Sequence, residues 1–256
     1  MKYTDLIFDL YGTLVDIHTE ENKSVWEKCA IFFGFCGVRC SAEELKCDFE
    51  RELTRREAQA GQSYECFPDV RFEEVMSELL SRGDVGENAD ALGIQVAQLF
   101  RISSIEYIRL YPKVKEALEY LRSCGFRLWL LSNAQAVFTA YELRHLGFED
   151  AFDGVYLSSD FGCRKPDSRF YRALIDGQGL DISKCIMIGN DRDTDIAGAK
   201  GLGMATLYMH TNLTPSSQKK ANKKLHPNKA DISCADYEYE GSDWTELAGL
   251  IKKIAK

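Results

Sequence analysis

The stretch that decides the fold is LIFDLYGTLVD, residues 6–16, where an apolar run leads directly into a carboxylate and a Gly-Thr turn. A brief apolar run that ends in turn residues is typical of a buried strand, so we expect a strand over Leu6 to Phe8. Asp9 then stands at the carboxyl end of that strand. In an open α/β sheet this is the edge where ligands bind, which makes Asp9 a candidate for chemistry.

The second half of the chain alternates between strand-like and helix-like segments. After Tyr111 and Pro112 the strand-like segments are FRLWLLS, GVYLSS, CIMIG and MATLY, and the helix-like ones are VKEALEYLRSCG, VFTAYELRHLG, SRFYRALIDGQG and TDIAGAKGLG. Strands that alternate with helices of this length form parallel βαβ units. The sequence therefore predicts an α/β fold with a doubly wound, Rossmann-like parallel sheet.

Between these two regions, residues 16–108 have a helical pattern, with apolar residues three or four positions apart. We expect residues 1–16 and 109–256 to form an α/β core domain and residues 17–108 an inserted α-helical cap domain. Such a cap can close over a site and exclude water. Four aromatic residues of the insert are candidates for contacting a substrate, although rings at helical spacing more often pack inside a helical domain: Trp26, Phe33, Phe35 and Tyr64.

Composition and charge narrow the class of protein. The chain has 256 residues, of which 45% are hydrophobic and 28% charged, values typical of a globular protein. The net charge of −8 argues against general nucleic-acid binding. No apolar run approaches the ~18 residues of a membrane span, and the N-terminus lacks the pattern of a secretion signal. We expect a cytoplasmic monomer or homodimer without membrane partners.

Two further features favour ordinary structural roles. The nine cysteines are odd in number and scattered, so we expect reduced thiols, and the C-x3-C spacing of Cys36 and Cys40 is a weak zinc signal. Residues 219–229, KKANKKLHPNK, hold five lysines. A solvated loop is the ordinary interpretation of such a run, and a rim that faces an anion is the alternative.

Polar residues follow four of the predicted strands. They are Asp9 with Gly12 and Thr13, the pair Ser132 and Asn133, Lys165 in GCRKPDSRFY, and the acidic turn GNDRDTD at residues 189–195. Each feature alone could be a helix cap, a turn or a surface charge. Because the carboxyl ends of parallel strands meet at one edge of a sheet, the four together predict a single site.

In their order and spacing, FDLYGTLVD, LLSNAQ, RKPDSRFY and GNDRDTDIAGAKGLGM resemble the four motifs of the haloacid dehalogenase (HAD) superfamily. The helical insert is similar to the cap of its subfamily I, and the resemblance runs from about Lys2 to Tyr208. It implies a hydrolase in which Asp9 attacks an electrophilic phosphorus or carbon and forms a covalent ester. Lys165 and three further donors, Thr13, Ser132 and Asn133, would neutralise an anionic substrate, with Tyr11 and Gly12 in the same binding loop.

In the phosphatases of the superfamily the resemblance also implies Mg2+, held by the Asp9 carboxylate, the Tyr11 carbonyl and Asp191. Those phosphatases place a second aspartate two residues after the nucleophile, where it acts as general acid and base. This chain has Tyr11 there, and a tyrosine with a pKa near ~10 is a poor base at neutral pH. General acid-base catalysis typically contributes ~100- to 10,000-fold, so a phosphatase without it is handicapped.

The same Tyr11 matches the Asp-x-Tyr-Gly-Thr signature of the 2-haloacid dehalogenases in the superfamily, whose halide leaves without a proton. Tyr171 also matches a tyrosine of that pattern, although it could simply be a core residue. Dehalogenases use an arginine from the cap side to hold the substrate. Three arginines of the insert are candidates for this role, Arg51, Arg55 and Arg56, and we expect at least two of them to lie on a solvated helix face.

The fourth motif favours the phosphatases. Dehalogenases resemble Ser-x-Asn-x-x-Asp there and act without metal, whereas this chain has Asn190, Arg192 and Asp195 at those places. The resemblance puts Asp191 at the position of a metal-binding carboxylate. An acidic cluster near Asp9 would repel itself unless a cation or Lys165 compensates its charge, and we interpret this as favouring Mg2+. We expect a Mg2+-dependent phosphatase of a small phosphorylated metabolite. The alternatives are a metal-independent 2-haloacid dehalogenase, another hydrolytic or phosphotransfer reaction, and a catalytically weakened binding domain.

Overall fold

The structure is a computed structural model that describes residues 1–60, 67–83, 85–215 and 234–256. The strands of the described residues are β1 (Asp5–Phe8), β2 (Val15–Thr19), β3 (Ile105–Leu110), β4 (Arg127–Ser132), β5 (Gly154–Leu157), β6 (Cys185–Gly189), β7 (Ala205–His210) and β8 (Tyr237–Glu240). The α-helices are α1 (Lys23–Phe35), α2 (Ala42–Gln59), α3 (Phe72–Leu80), α4 (Ala89–Ser104), α5 (Val114–Ser123), α6 (Ala136–His145), α7 (Ser158–Phe161), α8 (Ser168–Gly177), α9 (Ala197–Gly201) and α10 (Trp244–Ile254).

Six strands form one parallel sheet in the order β5-β4-β1-β6-β7-β8. The chain builds outward from β1 to β4 and β5, and then returns to the other side of β1 for β6, β7 and β8. The predicted doubly wound parallel sheet is confirmed. The change of direction at β1 brings the ends of β1, β4 and β6 together, which is where such folds place a binding crevice.

Both faces of the sheet are buried, because successive side chains of a strand point to opposite sides. Leu6 and Phe8 of β1 pack in one hydrophobic cluster with α5 and α10. Ile7 packs in a second cluster, on the other face, with α8 and α9. This two-sided burial explains why the central strands are nearly continuous apolar runs.

The inserted segment has its own hydrophobic cluster, which is built by α1 to α4 and includes Trp26 and Phe33. Helix α2 begins with a capping box, in which Ser41 and Glu44 each bond the other's backbone N–H. The insert is joined to the sheet by β2 and β3, which pair antiparallel as a two-stranded ribbon. Asp16 and Arg109 lie opposite each other in this ribbon and form a salt bridge of 2.7 Å between Oδ2 and Nη2.

Three predictions about local structure were wrong or incomplete. The helical pattern assigned to residues 16–108 includes the strands at both of its ends, so the first helix begins at Lys23 and the last ends at Ser104. The segment GVYLSS is a strand only to Leu157, and the helix α7 begins at Ser158. The sequence patterns described above predict neither β8 nor α10, which complete the edge of the sheet and one of its faces.

The remaining sequence features have the following outcomes. The eight cysteines within the described ranges are free thiols, including Cys36 and Cys40. The lysine run at residues 219–229 and Tyr64 lie outside the described residues. Across the part of the chain that the structure describes, the helices are too short or too polar to cross a bilayer.

Candidate active site

Asp9 and Lys165 form the centre of the candidate site. The Lys165 ammonium donates to Asp9 Oδ1 at 2.8 Å, to Asp195 Oδ1 at 2.7 Å and to the carbonyl of Leu131 at 2.8 Å. Lys165 is 1% exposed, so these three acceptors replace its contacts with water. Burial alone would lower the pKa of Lys165, but the charges of Asp195 and Asp9 raise it above its ordinary value, and the side chain is therefore a cation.

The two oxygens of Asp9 have different surroundings. Besides Lys165, Oδ1 accepts a hydrogen bond of 3.1 Å from Ser132 Oγ at the end of β4. Oδ2 accepts a single long bond of 3.4 Å, from Thr13 Oγ1. Lys165 and Ser132 thus orient the carboxylate through one oxygen and leave the other weakly engaged.

Asp195 supports Lys165 from the opposite side. Its Oδ2 accepts a hydrogen bond from the backbone N–H of Asp191 at 3.0 Å, and its Oδ1 accepts from Lys165. Burial raises the pKa of Asp195; Lys165 opposes this effect and the charge of Asp9 adds to it. Asp195 belongs to a single π-helical turn, Arg192–Ile196, a feature that is frequent at functional sites.

Asp191 lies at the start of this turn. Its Oδ1 accepts from the backbone N–H groups of Asp193 at 2.8 Å and Thr194 at 3.2 Å, so it caps the turn. The adjacent Asn190 is buried, and its Oδ1 accepts a bond of 3.3 Å from Thr13 Oγ1, which also contacts Asp9. The fourth motif is therefore joined to the first by Thr13 and to the third by Lys165.

Gly12 is required by this close approach. Its φ of +83° is rarely adopted by residues with a side chain, and a Cβ there would lie 2.3 Å from Asn190 Nδ2.

Asn133 supports the site through the backbone of Lys165. Its side-chain amide forms two bonds with the backbone of Lys165, of 3.0 and 2.7 Å, and thereby fixes the loop that carries the lysine.

The side chain of Tyr11 leaves the site. Its hydroxyl donates to Glu142 Oε2 and lies 3.0 Å from Thr139 Oγ1, both on α6. Arg101 of α4 binds the same Glu142 through two hydrogen bonds, of 2.6 and 3.2 Å, and its guanidinium lies 5.4 Å from the centre of the Tyr11 ring. Burial, with a further contribution from the charge of Glu142, raises the pKa of Tyr11 far above its usual value.

A second contact joins the insert to the loop after β4. The Gln135 amide donates to Asp69 Oδ1 and to the Val70 carbonyl and accepts from the Phe72 backbone N–H, at 2.9, 3.0 and 2.9 Å. Beside it, Pro68 and Cys163 form an isolated antiparallel bridge. The segment before α3 is thus docked next to Lys165 and Asn133.

Several sequence candidates lie elsewhere. Arg51 pairs with Asp48, and Arg55 and Arg56 pair with Glu52, all within the insert. Tyr171 is fully buried and donates to the Thr194 carbonyl, so it supports the π-helical turn. Among the aromatic candidates for lining a substrate pocket, Phe35 is 86% exposed, while Trp26 and Phe33 lie in the core of the insert.

Sequence reasoning missed Arg101, Glu142 and Gln135. Gln135 closes the motif LLSNAQ, so its position in the motif was a usable signal. Arg101 and Glu142 come together from two helices, and their spacing in the sequence carries no comparable signal. Arg101, whose side chain is 16% exposed, is a cation that the insert brings to the core, whereas the three arginines of α2 pair within the insert.

The residues expected to hold Mg2+ have the chemistry that suits a hard cation. Asp9, Asp191 and the Tyr11 carbonyl offer oxygen atoms, the type of ligand that Mg2+ prefers, and Lys165 is shared between the carboxylates of Asp9 and Asp195. A different cluster of potential ligands occurs on the ribbon, where His18, Glu20 and Glu106 are exposed and have ligand atoms within 4.8 Å of one another. Exposed acidic groups are common without a metal, and this cluster lies away from the sheet edge that carries Asp9.

Comparison with known proteins identifies the family. A sequence model described as haloacid dehalogenase-like hydrolase matches residues 6–203, which include all four motifs. The chain belongs to the haloacid dehalogenase-like hydrolases. It is therefore a hydrolase, and the resemblance noted from the motifs is confirmed.

The relatives of this haloacid dehalogenase-like hydrolase include both phosphatases and a dehalogenase. The chain is 26% identical over 234 residues to a 5′-nucleotidase of Pseudomonas aeruginosa, a match that covers 88% of this chain and 91% of that protein. It is 27% identical over 212 residues to an (S)-2-haloacid dehalogenase of Pseudomonas sp. strain YL, covering 80% and 82%. A glyceraldehyde 3-phosphate phosphatase of Methanothermobacter thermautotrophicus is 29% identical over 129 residues, which span 50% of this chain and 55% of that protein.

Solved structures agree on the fold. The crystal structure of a 2-haloacid dehalogenase from Pseudomonas syringae pv. Tomato superimposes with a TM-score of 0.65 and 22% identity, over 98% of this chain and 99% of that one. At this identity the likeness shows the shared fold and no more.

Proposed function

We propose that this hydrolase is a phosphatase that acts on a small phosphorylated metabolite, with Asp9 as the nucleophile. The observation that carries the proposal is the asymmetry of the Asp9 carboxylate. Lys165 and Ser132 hold Oδ1, whereas Oδ2 has one long contact of 3.4 Å. A carboxylate oxygen that is oriented but weakly engaged suits nucleophilic attack.

In the proposed reaction Asp9 Oδ2 attacks phosphorus, the bond from phosphorus to the leaving group breaks, and an aspartyl phosphate results. Water then attacks this phosphorus and returns the carboxylate. Lys165 neutralises charge at the nucleophile, and Ser132 and Thr13 donate hydrogen bonds around it, which lowers the repulsion between an anionic substrate and an anionic nucleophile. Asn133 holds Lys165 in place through its backbone.

Asp9, the Tyr11 carbonyl and Asp191 would hold Mg2+ in this reaction. The ion, when bound, supplies positive charge for the phosphoryl oxygens. The acidic character of the fourth motif supports this assignment: Lys165 pairs with both Asp9 and Asp195, and Asp191 is a further carboxylate of the same motif. We also infer that residues 17–108 act as a cap. Helix α4 and the segment before α3 contact the core beside the nucleophile loop, residues 9–14 after β1.

One observation favours a second candidate, a metal-independent 2-haloacid dehalogenase. The hydroxyl of Tyr11 is bonded to Glu142 and not to Asp9, so the position where the phosphatases of the superfamily carry an acid supplies none. Halide departs without a proton, so the lack of an acid at this position does not slow dehalogenation. The (S)-2-haloacid dehalogenase relative adds to the support for this candidate.

Two product assays separate the candidates. Purified protein with Mg2+ is expected to release phosphate from 4-nitrophenyl phosphate, and excess EDTA is expected to stop the release. Asp9→Asn is the matched control, because it keeps the size of the side chain and removes the nucleophile. Chloride release from 2-chloropropionate, with no phosphate release, would replace the proposal by the dehalogenase. Phosphate release that is unaffected by EDTA would remove Mg2+ from the mechanism.

A further inference from the structure

The hydrogen-bond donors around Asp9 offer no proton that is easily given up. Its contacts are the Lys165 ammonium and the hydroxyls of Ser132 and Thr13. Lys165 donates to three oxygens at once, those of Asp9, Asp195 and the Leu131 carbonyl. A cation held in this way stabilises negative charge at Asp9, and its N–H groups are aimed at these three oxygens and not at a leaving group.

The neighbouring carboxyl groups of the described residues have other partners. Both oxygens of Asp195 accept hydrogen bonds, from Lys165 and from the Asp191 backbone, and its side chain is 1% exposed behind the lysine. Glu142 accepts from Tyr11 and twice from Arg101. Asp195 and Glu142 therefore hold other residues of the site in place and are not directed at a leaving group.

Two more acids are engaged in the same way. Asp191 Oδ1 caps the π-helical turn. Asp69 of the insert accepts from Gln135 through Oδ1 and from Ser158 through Oδ2, at 2.9 and 2.5 Å. The hydroxyl of Tyr11, two residues after Asp9, already donates to Glu142. Within the described ranges, the site stabilises anions without an acid aimed at the departing atom.

We propose that the physiological substrates are phosphoryl compounds whose leaving group departs as a stable anion, and that they belong to the acyl phosphate class. This inference rests on the proposed phosphatase function and narrows it. A carboxylate leaving group has a conjugate acid of pKa near ~4, compared with ~10 for a phenol. An alkoxide is a much stronger base than a phenolate, so its departure needs a proton that no acid among the described residues is aimed to supply.

The step balances without a proton donor. A lone pair of Asp9 Oδ2 forms the bond to phosphorus, and the bond from phosphorus to the acyl oxygen breaks with its electron pair, which gives a carboxylate. Water then forms a bond to phosphorus, the bond from phosphorus to Asp9 breaks, and the electron pair returns to the aspartate. The protons of that water pass to the released phosphate and to the buffer.

A group that exchanges protons with the reacting atoms also matters for the second half of the reaction, the hydrolysis of the aspartyl phosphate. With no base beside Asp9 among the described residues, we expect attack by water on the aspartyl phosphate to be slower than its formation from a good leaving group. We therefore expect a stoichiometric burst of leaving group, which is the kinetic sign of a covalent intermediate that accumulates. The quantity that reports the first step is kcat/KM, because it covers the events up to the first irreversible bond cleavage.

The test compares three substrates on the wild-type protein with Mg2+: acetyl phosphate, phenyl phosphate and ethyl phosphate. Acetyl and ethyl phosphate are a matched pair with the same number of carbon atoms, and the rate with Asp9→Asn is subtracted to remove spontaneous hydrolysis. We expect kcat/KM to fall by at least ~100-fold from acetyl phosphate to ethyl phosphate, the lower limit of what a general acid supplies, with phenyl phosphate between them.

Two results would overturn the proposal, and they differ. If ethyl phosphate is cleaved within ~10-fold of acetyl phosphate, an acid operates in the site, and the inference fails while the phosphatase function stands. If none of the three substrates releases phosphate above the Asp9→Asn rate, the substrate class and the proposed phosphatase function both fail.

Discussion

The hydroxyl of Tyr11 donates its hydrogen bond to Glu142, so the residue two positions after Asp9 faces a helix and not the carboxylate. Glu142 also binds Arg101, which belongs to the inserted helices. The loop after β1, which carries Asp9 and Tyr11, is thereby connected to the insert through one buried carboxylate. The Tyr11 side chain fixes this loop, and Mg2+ binding by the Tyr11 carbonyl stays a proposal.

Removing the Tyr11 hydroxyl should affect stability more than chemistry. Tyr11→Phe leaves Glu142 with Arg101 as a partner but deletes a hydrogen bond to a charged group, which costs about 1.5–3 kcal/mol. We expect the free energy of unfolding, measured in urea, to fall by that amount, and kcat/KM to fall by less than ~10-fold. A loss of ~100-fold or more would mean that the hydroxyl acts as the general acid.

The connection to the insert can be tested with two arginines. Arg101→Met breaks a pair between the insert and the core, and Arg56→Met breaks a similar pair inside the insert. Both pairs are partly buried: Arg101 Nε lies 2.6 Å from Glu142 Oε1, and Arg56 Nε lies 2.7 Å from Glu52 Oε1. Each substitution should lower the free energy of unfolding by about 2 kcal/mol.

Activity should separate these two variants. Because a small misplacement of reacting groups costs up to ~100-fold, Arg101→Met should lower kcat/KM by roughly tenfold or more, and Arg56→Met should leave it within about twofold. Equal effects of both substitutions on kcat/KM would show that the Arg101 pair is ordinary packing.

Lys165→Met should destabilise the protein in a pH-dependent manner. The substitution leaves Asp9 and Asp195 buried without their shared cation, which costs about 3–5 kcal/mol when both carboxylates are charged. Lys165 opposes the effect of burial on the pKa of Asp195, so loss of the cation raises that pKa further in the folded state. A raised folded-state pKa gives stability that is present at low pH and is lost as the pH rises through that value.

The destabilisation by Lys165→Met should therefore be smallest near pH 5 and grow toward pH 8, as measured by urea unfolding of variant and wild type at each pH. The double variant Lys165→Met/Asp195→Asn is the control, because one carboxylate fewer should make the pH dependence weaker. A penalty that is the same at every pH would show that neither carboxylate depends on Lys165 for its charge.

Much of the fold and the centre of the site could be predicted, and the reason is physical. Parallel strands place their carboxyl ends at one edge, so Asp9, Ser132 and Lys165 could be expected to meet before any coordinates were available. The orientation of the Tyr11 side chain could not be predicted in this way. The side chain of a loop residue turns toward whatever partner the tertiary structure offers, and Glu142 lies on a helix whose sequence shows no sign of that role.

The missed elements had readable signals. Helix α10 begins after Asp243, whose side chain caps it, and buries Trp244, Leu247, Ala248 and Ile251, the spacing of one helix face. Strand β8 has the alternating sequence YEYE, which also predicts a strand. The ribbon of β2 and β3 was harder, because each strand is short and its partner is supplied by the far end of the insert.

The most direct test of the account asks whether Asp9 becomes phosphorylated. Wild-type protein is mixed with acetyl phosphate and Mg2+, quenched in acid during turnover, digested, and examined by mass spectrometry for the peptide that contains residue 9. We predict one added phosphoryl group on that peptide, absent from Asp9→Asn, together with a loss of at least ~10,000-fold in kcat for that variant. An unmodified peptide in the wild type, or an Asp9→Asn variant that retains its turnover, would contradict the account.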